Sequence, residues 1–283
     1  MVKDKEIQDG PYKEFYEDGT LKLEGFIKNG KREGLFKEYF ACGNIEEEAF
    51  YKNGMIEGIV KVYDIDDGFL QQVVEFKNGK ANGLYKFLYK NGKVQSEDTH
   101  KDGKPEGLFR QYDENGKLRV EGFHKNGMTE GLLRFFYENG NIKQEETHKD
   151  SKIEGPFNVY YENGQLKIKG YMKDGNYEGA YNLYHENGVF KVDILMKDGK
   201  YDGAYKRYDQ SGRIEEDGVY QGGVPDGLWK KYYKNGKLKE EVTYKLGDIV
   251  GQCKEYNQDG TLIDSQAEGP IRVHWEDGKL KEE

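Results

Sequence analysis

Residues 131–154 read GLLRFFYENGNIKQEETHKDSKIE, and this stretch, shifted in steps of 24 residues, reproduces itself along the chain. Numbered +0 to +23 from Gly131, it places glycine at +0 again in Gly10, Gly34, Gly58, Gly83, Gly107, Gly155, Gly179, Gly203, Gly227 and Gly251. The step is constant apart from one extra residue between positions 64 and 67. A second glycine recurs at +9 and a third at +20, where Ser151 is the exception. A fixed period of this length marks a repeat architecture. Residues 1–283 are therefore read as a single array of about eleven units from Gly10, preceded by a partial unit at 1–9. No internal domain boundary is expected, because a repeat contacts only its neighbours.

Within a unit, +1 to +6 is an aromatic and aliphatic run, as in Leu228, Trp229, Tyr232 and Tyr233. Bounded by Gly on one side and Asn-Gly on the other, it is long enough for a strand and too short for a helix. Glu-Asn-Gly at 114–116, 138–140, 162–164 and 186–188 supplies the positive-φ residues that a tight hairpin turn requires. A second run, with Leu or Ile at +11 and an acid at +14, closes on Lys-Asn-Gly or Lys-Asp-Gly, as at 28–30 and 197–199. Two turns per unit predict two strands per unit, roughly 22 in all, every one antiparallel to the next. The fold expected is all-β: an elongated, twisted antiparallel β-meander of tandem 24-residue hairpins forming an open, solenoid-like single sheet.

The turn at +7 to +9 sets +5 opposite +11, pairing Tyr with Leu, and sends the aromatic at +2 to the other face with +14. Two arrangements satisfy the columns: both faces partly apolar, or a bulge near +0 that realigns them. The pattern favours aromatic ladders on one face and alternating charge on the other. Residues 251–283 form atypical capping units that lose a turn and finish Lys-Leu-Lys-Glu-Glu, and charge at an edge discourages further pairing. The N-terminal edge carries less protection, so the expected state is a monomer or a weak edge-mediated dimer.

Charged residues make up 34% of the chain and mean hydropathy is −1.00, yet 23 Tyr and 14 Phe fall in register, which argues for a folded array. The net charge of −9, with Lys and Glu interspersed, argues against nucleic acid and against an anionic membrane as partner. No apolar run approaches the ~18 residues of a membrane span. Cys42 and Cys253 lie about nine units apart, roughly 85 Å at strand spacing, too far for a disulfide. MVKDKEIQDG places charges where a signal peptide is apolar, but the chain begins mid-unit. The location is cytoplasmic if Met1 is the native start and exported if a leader has been removed.

Candidates for chemistry dissolve into columns. His100, His124 and His148 share +17, but equivalent positions two strands apart are separated by ~9.6 Å, and metal ligands sit ~2.1 Å from one ion. The column continues as Met172, Met196, Tyr220 and Tyr244, a packing position. Acids at +14 (Glu24, Glu48, Glu97, Glu121) and +23 (Glu33, Glu57, Glu106, Glu130) have repeating surroundings, whereas catalytic carboxylates need unlike ones. The +18 lysines, such as Lys28 and Lys52, are expected to neutralise them. Asp-Ile-Asp-Asp-Gly at 64–68 lacks the terminal Glu of a calcium loop and reads as a one-residue turn insertion. No catalytic residue, metal site or cofactor is expected, and the chain reads as non-enzymatic.

The unit G-x-[FY]-K-x-Y-x-E-N-G-x-L-K-x-E-x-x-x-K-N-G-K-x-E, as at 107–130, resembles the bacterial variant of the MORN repeat, in the form found in proteins labelled antitoxins of the YwqK type. The resemblance covers residues 10 to about 251. It implies an elongated meander of hairpins that acts by binding; eukaryotic MORN proteins are linked to membranes and to protein scaffolding, and the acidic charge here departs from the membrane profile. The function expected is a scaffold presenting one sheet face to a protein partner, with Tyr112, Tyr160, Tyr184, Tyr208, Trp229 and Tyr232 as contacts where exposed. An antitoxin-like inhibitor of a cognate toxin and an exported adhesion protein are the alternatives.

Overall fold

The structure, a computed structural model, describes residues 8–266. Among them run 29 strands in one antiparallel sheet, with no helix. The end of the C-terminal cap, from 267 on, and the first seven residues of the partial unit lie outside the described residues.

The first units show the plan. Strand β1 (Gly10–Phe15) turns into β2 (Leu21–Lys28), which pairs with the two-residue β3 (Lys31–Arg32) and then with β4 (Gly34–Tyr39). The β2–β3 turn is Asn29-Gly30 at φ 52° and 69°, the left-handed pair of a type I′ hairpin, which Asn and Gly adopt at least cost. The chain then steps over Glu33 and Gly34, the latter at φ 82°, before pairing resumes. This break splits one expected strand into two pieces in most units, and so there are more strands than two per unit. At Lys80–Leu88, Lys152–Tyr160 and Lys200–Tyr208 the pieces fuse.

The register corrects one expectation. Position +5 does lie opposite +11, as in Tyr39↔Ile45 and Tyr112↔Leu118. One residue further the ladder slips at a bulge, so that +4 faces +13, +3 faces +14 and +2 faces +15: Glu38↔Glu47, Lys37↔Glu48, Phe36↔Ala49. The same slip recurs in the hairpins from Gly58, Gly107, Gly179 and Gly227. The aromatic at +2 therefore never meets the +14 acid. Because strand side chains alternate, +2, +13, +15 and +17 share an inner face, and +1, +3, +5, +14 and +16 share an outer one. Aromatic residues do not segregate to one face: those at +2 turn inward, and those at +5 stand outward among the charges.

The inner face is the core. Phe36, Ala49 and Ile194 are at most 2% exposed. Its packing sets residue size at +15: a Cβ on Gly25 would lie 2.5 Å from the ring of Phe36, and one on Gly218 would run into Trp229. The described residues gather into two compact units, 8–140 with Lys149–Ser151 and Asn141–His148 with 152–266. The first holds a cluster of Leu23, Ile27 and Phe36, flanked by Tyr12 and Tyr51. The second is richer: Trp229 stacks on Tyr205 at 5.3 Å and meets Tyr220 edge-on at 5.0 Å, beside Ile194, Val242 and Tyr244.

The irregular positions are absorbed locally. The extra residue near 64–68 lengthens its turn while Tyr63↔Leu70 pairing persists, and Asp64 Oδ1 accepts the Asp66 N–H at 2.9 Å. Ser151 takes up φ 63° in place of glycine, and its Oγ accepts the Thr129 N–H at 3.0 Å. Both cysteines are free thiols.

Candidate functional site

On the outer face the bulge brings +1 opposite +16, giving Leu35↔Phe50, Leu108↔Phe123, Ala180↔Leu195 and Leu228↔Thr243. Among the described residues no layer covers these side chains. Leu35, Ile59, Leu84, Leu108, Leu132 and Leu228 at +1 are exposed over 39–56% of their surface, and Phe26, Phe50, Phe123, Tyr171, Leu195 and Val219 at +16 over 43–48%. Successive rungs stand about 9.6 Å apart, which leaves furrows between them. One such furrow, of about 520 Å³, lies between the Leu35–Phe50 rung and Ile59, with Glu48, Glu57 and Lys61 at its rim.

Beside this apolar row runs a charge lattice built from +3, +5 and +14. The +14 carboxylate lies between cations of its own hairpin and the next: Glu48 between Lys37 (3.0 Å) and Lys61 (3.9 Å), Glu121 between Arg110 (2.8 Å) and Arg134 (3.7 Å). The +5 tyrosine of the following unit donates its hydroxyl to the same acid: Tyr39 to Glu24 at 2.7 Å, Tyr63 to Glu48 at 2.8 Å and Tyr112 to Glu97 at 2.8 Å. The hydroxyl bond, with help from lysine, holds Glu24 and Glu48 below the usual carboxylate range. Burial first, then the bond to the carboxylate, pushes Tyr39 and Tyr63 up to about 12.

The +14 acids are thus met by the +3 cations, while among the +18 lysines Lys245 lies 3.5 Å from the +23 acid Asp226 and Lys28 acts on Asp9. The +23 acids do something else. Each accepts the backbone N–H of the next +19 residue, as Glu33 does from Asn53 (2.8 Å) and Glu106 from Asn126 (2.6 Å), and so caps the following turn.

The six residues singled out from the sequence divide. Tyr112, Tyr160, Tyr184, Tyr208 and Tyr232 all stand half-buried on the outer face. Tyr160 donates to Glu145 at 2.8 Å, Tyr232 is bonded to Asp217, and Tyr184 stacks on Phe190 at 4.8 Å. Trp229 is only 4% exposed, and its Nε1–H donates to the Val219 carbonyl at 3.1 Å. As a +2 residue it faces the core and offers no surface. The +1/+16 row was missed: without the bulge offset nothing marks Leu and Phe at those positions as partners, although leucine recurs directly after the +0 glycine.

The inner face changes character between Gly83 and Gly131. Ser96, Asp98, His100 and His124 stand on it there and line a cavity of about 710 Å³ with Tyr85 and Phe109. His124 stacks on Phe109 at 4.2 Å, and His100 leans over Tyr85 at 4.7 Å. Among the described residues no group of three or more His, Cys, Asp or Glu side chains could hold a metal ion.

Hairpins repeated in one antiparallel sheet, with side chains arranged in columns, define a tandem-repeat array. The chain belongs to the MORN repeat variant family, whose profile matches residues 8–29, 32–53, 81–102, 105–126, 129–150, 153–174 and 225–246, more than half of the chain. MORN repeats are protein- or membrane-interaction motifs, and the family is one of repeat scaffolds. No curated protein matches the chain. Among solved structures, similarity is found to accessory secretory proteins 1, 2 and 3 of Streptococcus pneumoniae, at 22% identity over 39% of this chain and 20% of that one, TM-score 0.25. It is also found to the TCP10 domain of Danio rerio CPAP in complex with a peptide of Danio rerio STIL, at 13% identity over 92% of this chain and 100% of that one, TM-score 0.29. A complex of TcdB2, TccC3 and Cdc42 shows 12% identity over 91% of this chain and 17% of that one, TM-score 0.21. The chain spans about a fifth of the first of these.

Proposed function

We propose that this chain is a non-enzymatic scaffold that binds a protein partner through the outer face, with the +1/+16 row as the contact surface. The observation that carries this is the exposed row itself: large apolar side chains, 39–56% exposed at +1, repeated in register. A folded chain rarely leaves so many aligned apolar groups in water without a use for them. The flanking lattice of Lys, Arg, Glu and Tyr gives the row a polar rim, the layout of a protein-binding surface. The +5 tyrosines support it from the side; where acids hold their hydroxyls, as at Tyr39, Tyr63, Tyr112 and Tyr160, the ring edges are what they can offer a partner.

The test is affinity capture from the native host with the wild-type chain and with a variant carrying Ser at Leu35, Leu84, Leu108 and Leu132. The variant should keep the β-sheet circular-dichroism spectrum and lose the partner recovered by the wild type. Equal recovery by both would refute the assignment of the row.

A further inference from the structure

The cavity on the inner face has no place in that reading, and its composition is odd for a core. Elsewhere the +13, +15 and +17 columns supply buried apolar residues such as Leu23, Val192, Ile194 and Met196, or, at Gln144, Glu146 and His148, polar residues bonded to one another at 3.0 Å. Here they supply Ser96, Asp98 and His100, and the face opens into a space of about 710 Å³, within the ~300–1,000 Å³ of small-molecule sites.

Its polar groups are incompletely satisfied. Asp98 Oδ1 accepts the Thr99 N–H at 2.8 Å and lies 3.4 Å from His124 Nδ1, while Oδ2 meets no donor among the described residues. His100 Nδ1 is buried without a hydrogen-bond partner among the described residues. The ring is held by its contact with Tyr85. His100 Nδ1 is closed off within the fold, so the acceptor a ligand can reach is Asp98 Oδ2. Around these atoms stand Tyr85, Phe87 and Phe109, whose π faces favour cations. The two other charged groups at the cavity are already committed: Arg110 to Glu121 at 2.8 Å, and Glu97 to the Tyr112 hydroxyl at 2.8 Å.

We propose that this cavity binds a guanidinium group, one N–H edge on Asp98 Oδ2, another N–H toward the His100 ring, and the plane against the aromatic wall. A guanidinium presents several N–H donors in one plane and stacks on aromatic faces, whereas an ammonium is a compact point charge. An acidic chain of net charge −9 concentrates such cations around itself. The group could reach the cavity on a small molecule or on an arginine side chain of a protein. The proposal is independent of the outer-face reading.

The test is NMR of the histidine Cε1–H signals of the full chain during titration with agmatine and with a capped Gly-Arg-Gly peptide, alongside its citrulline and lysine counterparts. Saturable shifts of His100 and His124, with His185 unmoved, are expected for the guanidinium probes, and at least tenfold weaker binding for the citrulline peptide and for Asp98→Asn. Response to agmatine points to a small-molecule ligand, and response to the peptide alone points to an arginine of a partner protein; either supports the site. Absence of any shift with both guanidinium probes at millimolar concentration overturns it, as does citrulline binding as tightly as arginine. The citrulline comparison uses only the wild-type chain, so it decides the matter even if Asp98→Asn fails to fold.

Discussion

Leu246 occupies +19 of its unit at φ 49°, where the other units place Asn or Asp, or Gly in the case of Gly222, and it is 60% exposed. A left-handed backbone costs an ordinary L-residue roughly 1–2 kcal/mol and Asn much less. Leu246→Asn should therefore raise stability by about 1 kcal/mol in urea unfolding and leave the hairpin intact. Gly25 presents the opposite case. It is glycine because of what lies above it, since its added Cβ would stand 2.5 Å from the Phe36 ring. Gly25→Val should cost about 1–3 kcal/mol through overpacking, and shortening the partner in Gly25→Val/Phe36→Leu should restore part of it in the same urea assay.

Among elements, the hairpin with its recurrent bulge organises the molecule. It turns the +2 aromatics inward, and it places +14 acids such as Glu24, Glu48 and Glu97 under a tyrosine and beside +3 cations. Tyr39, Tyr63, Tyr181, Tyr220 and Tyr232 are all pushed up to about 12, by burial first. A phenol whose folded pKa lies above its unfolded value of about 10 binds its proton more tightly in the fold. Its contribution to stability is complete below pH ~10 and is lost as pH rises through about 12. The melting temperature should hold up to pH ~10 and fall steeply from there to pH ~12, with phenolate absorbance at the higher pH rising together with unfolding. Phenolate appearing fully near pH ~10 in the folded chain would contradict this. The turns, the antiparallel order and the +5/+11 pairing were legible in the sequence, because Asn-Gly and Gly have only a few backbone uses. The bulge after +11 was not, since the residue it leaves over, such as Lys22, Glu46 or Arg119, is an ordinary polar residue with no conformational signature. Missing that one offset hid the Leu35–Phe50 type of rung and gave the +14 acids the wrong lysines.

For the whole molecule, the same column can serve two ends depending on what occupies it. At +17, Ile27, Met196 and Tyr244 build core, whereas His100 and His124 border a cavity. Spacing along that one column excludes a metal centre held by its histidines alone, but a column taken singly does not reveal the cavity. Polar residues fill +13, +15 and +17 together at the cavity, as they also do at Gln144, Glu146 and His148, where they bond one another; that the three columns meet emerges only after the bulge assigns them to one face. The scaffold reading makes a corresponding demand on the opposite face: residues that alternate along the strands must differ completely in access to a partner. A photo-crosslinking amino acid at Leu108, which is 41% exposed, tests this against one at Leu133, which is 9% exposed. In host extract, the Leu108 position should crosslink to a discrete partner protein and the Leu133 position to none; crosslinks from Leu133, or none from Leu108 when a partner is bound, would contradict the account.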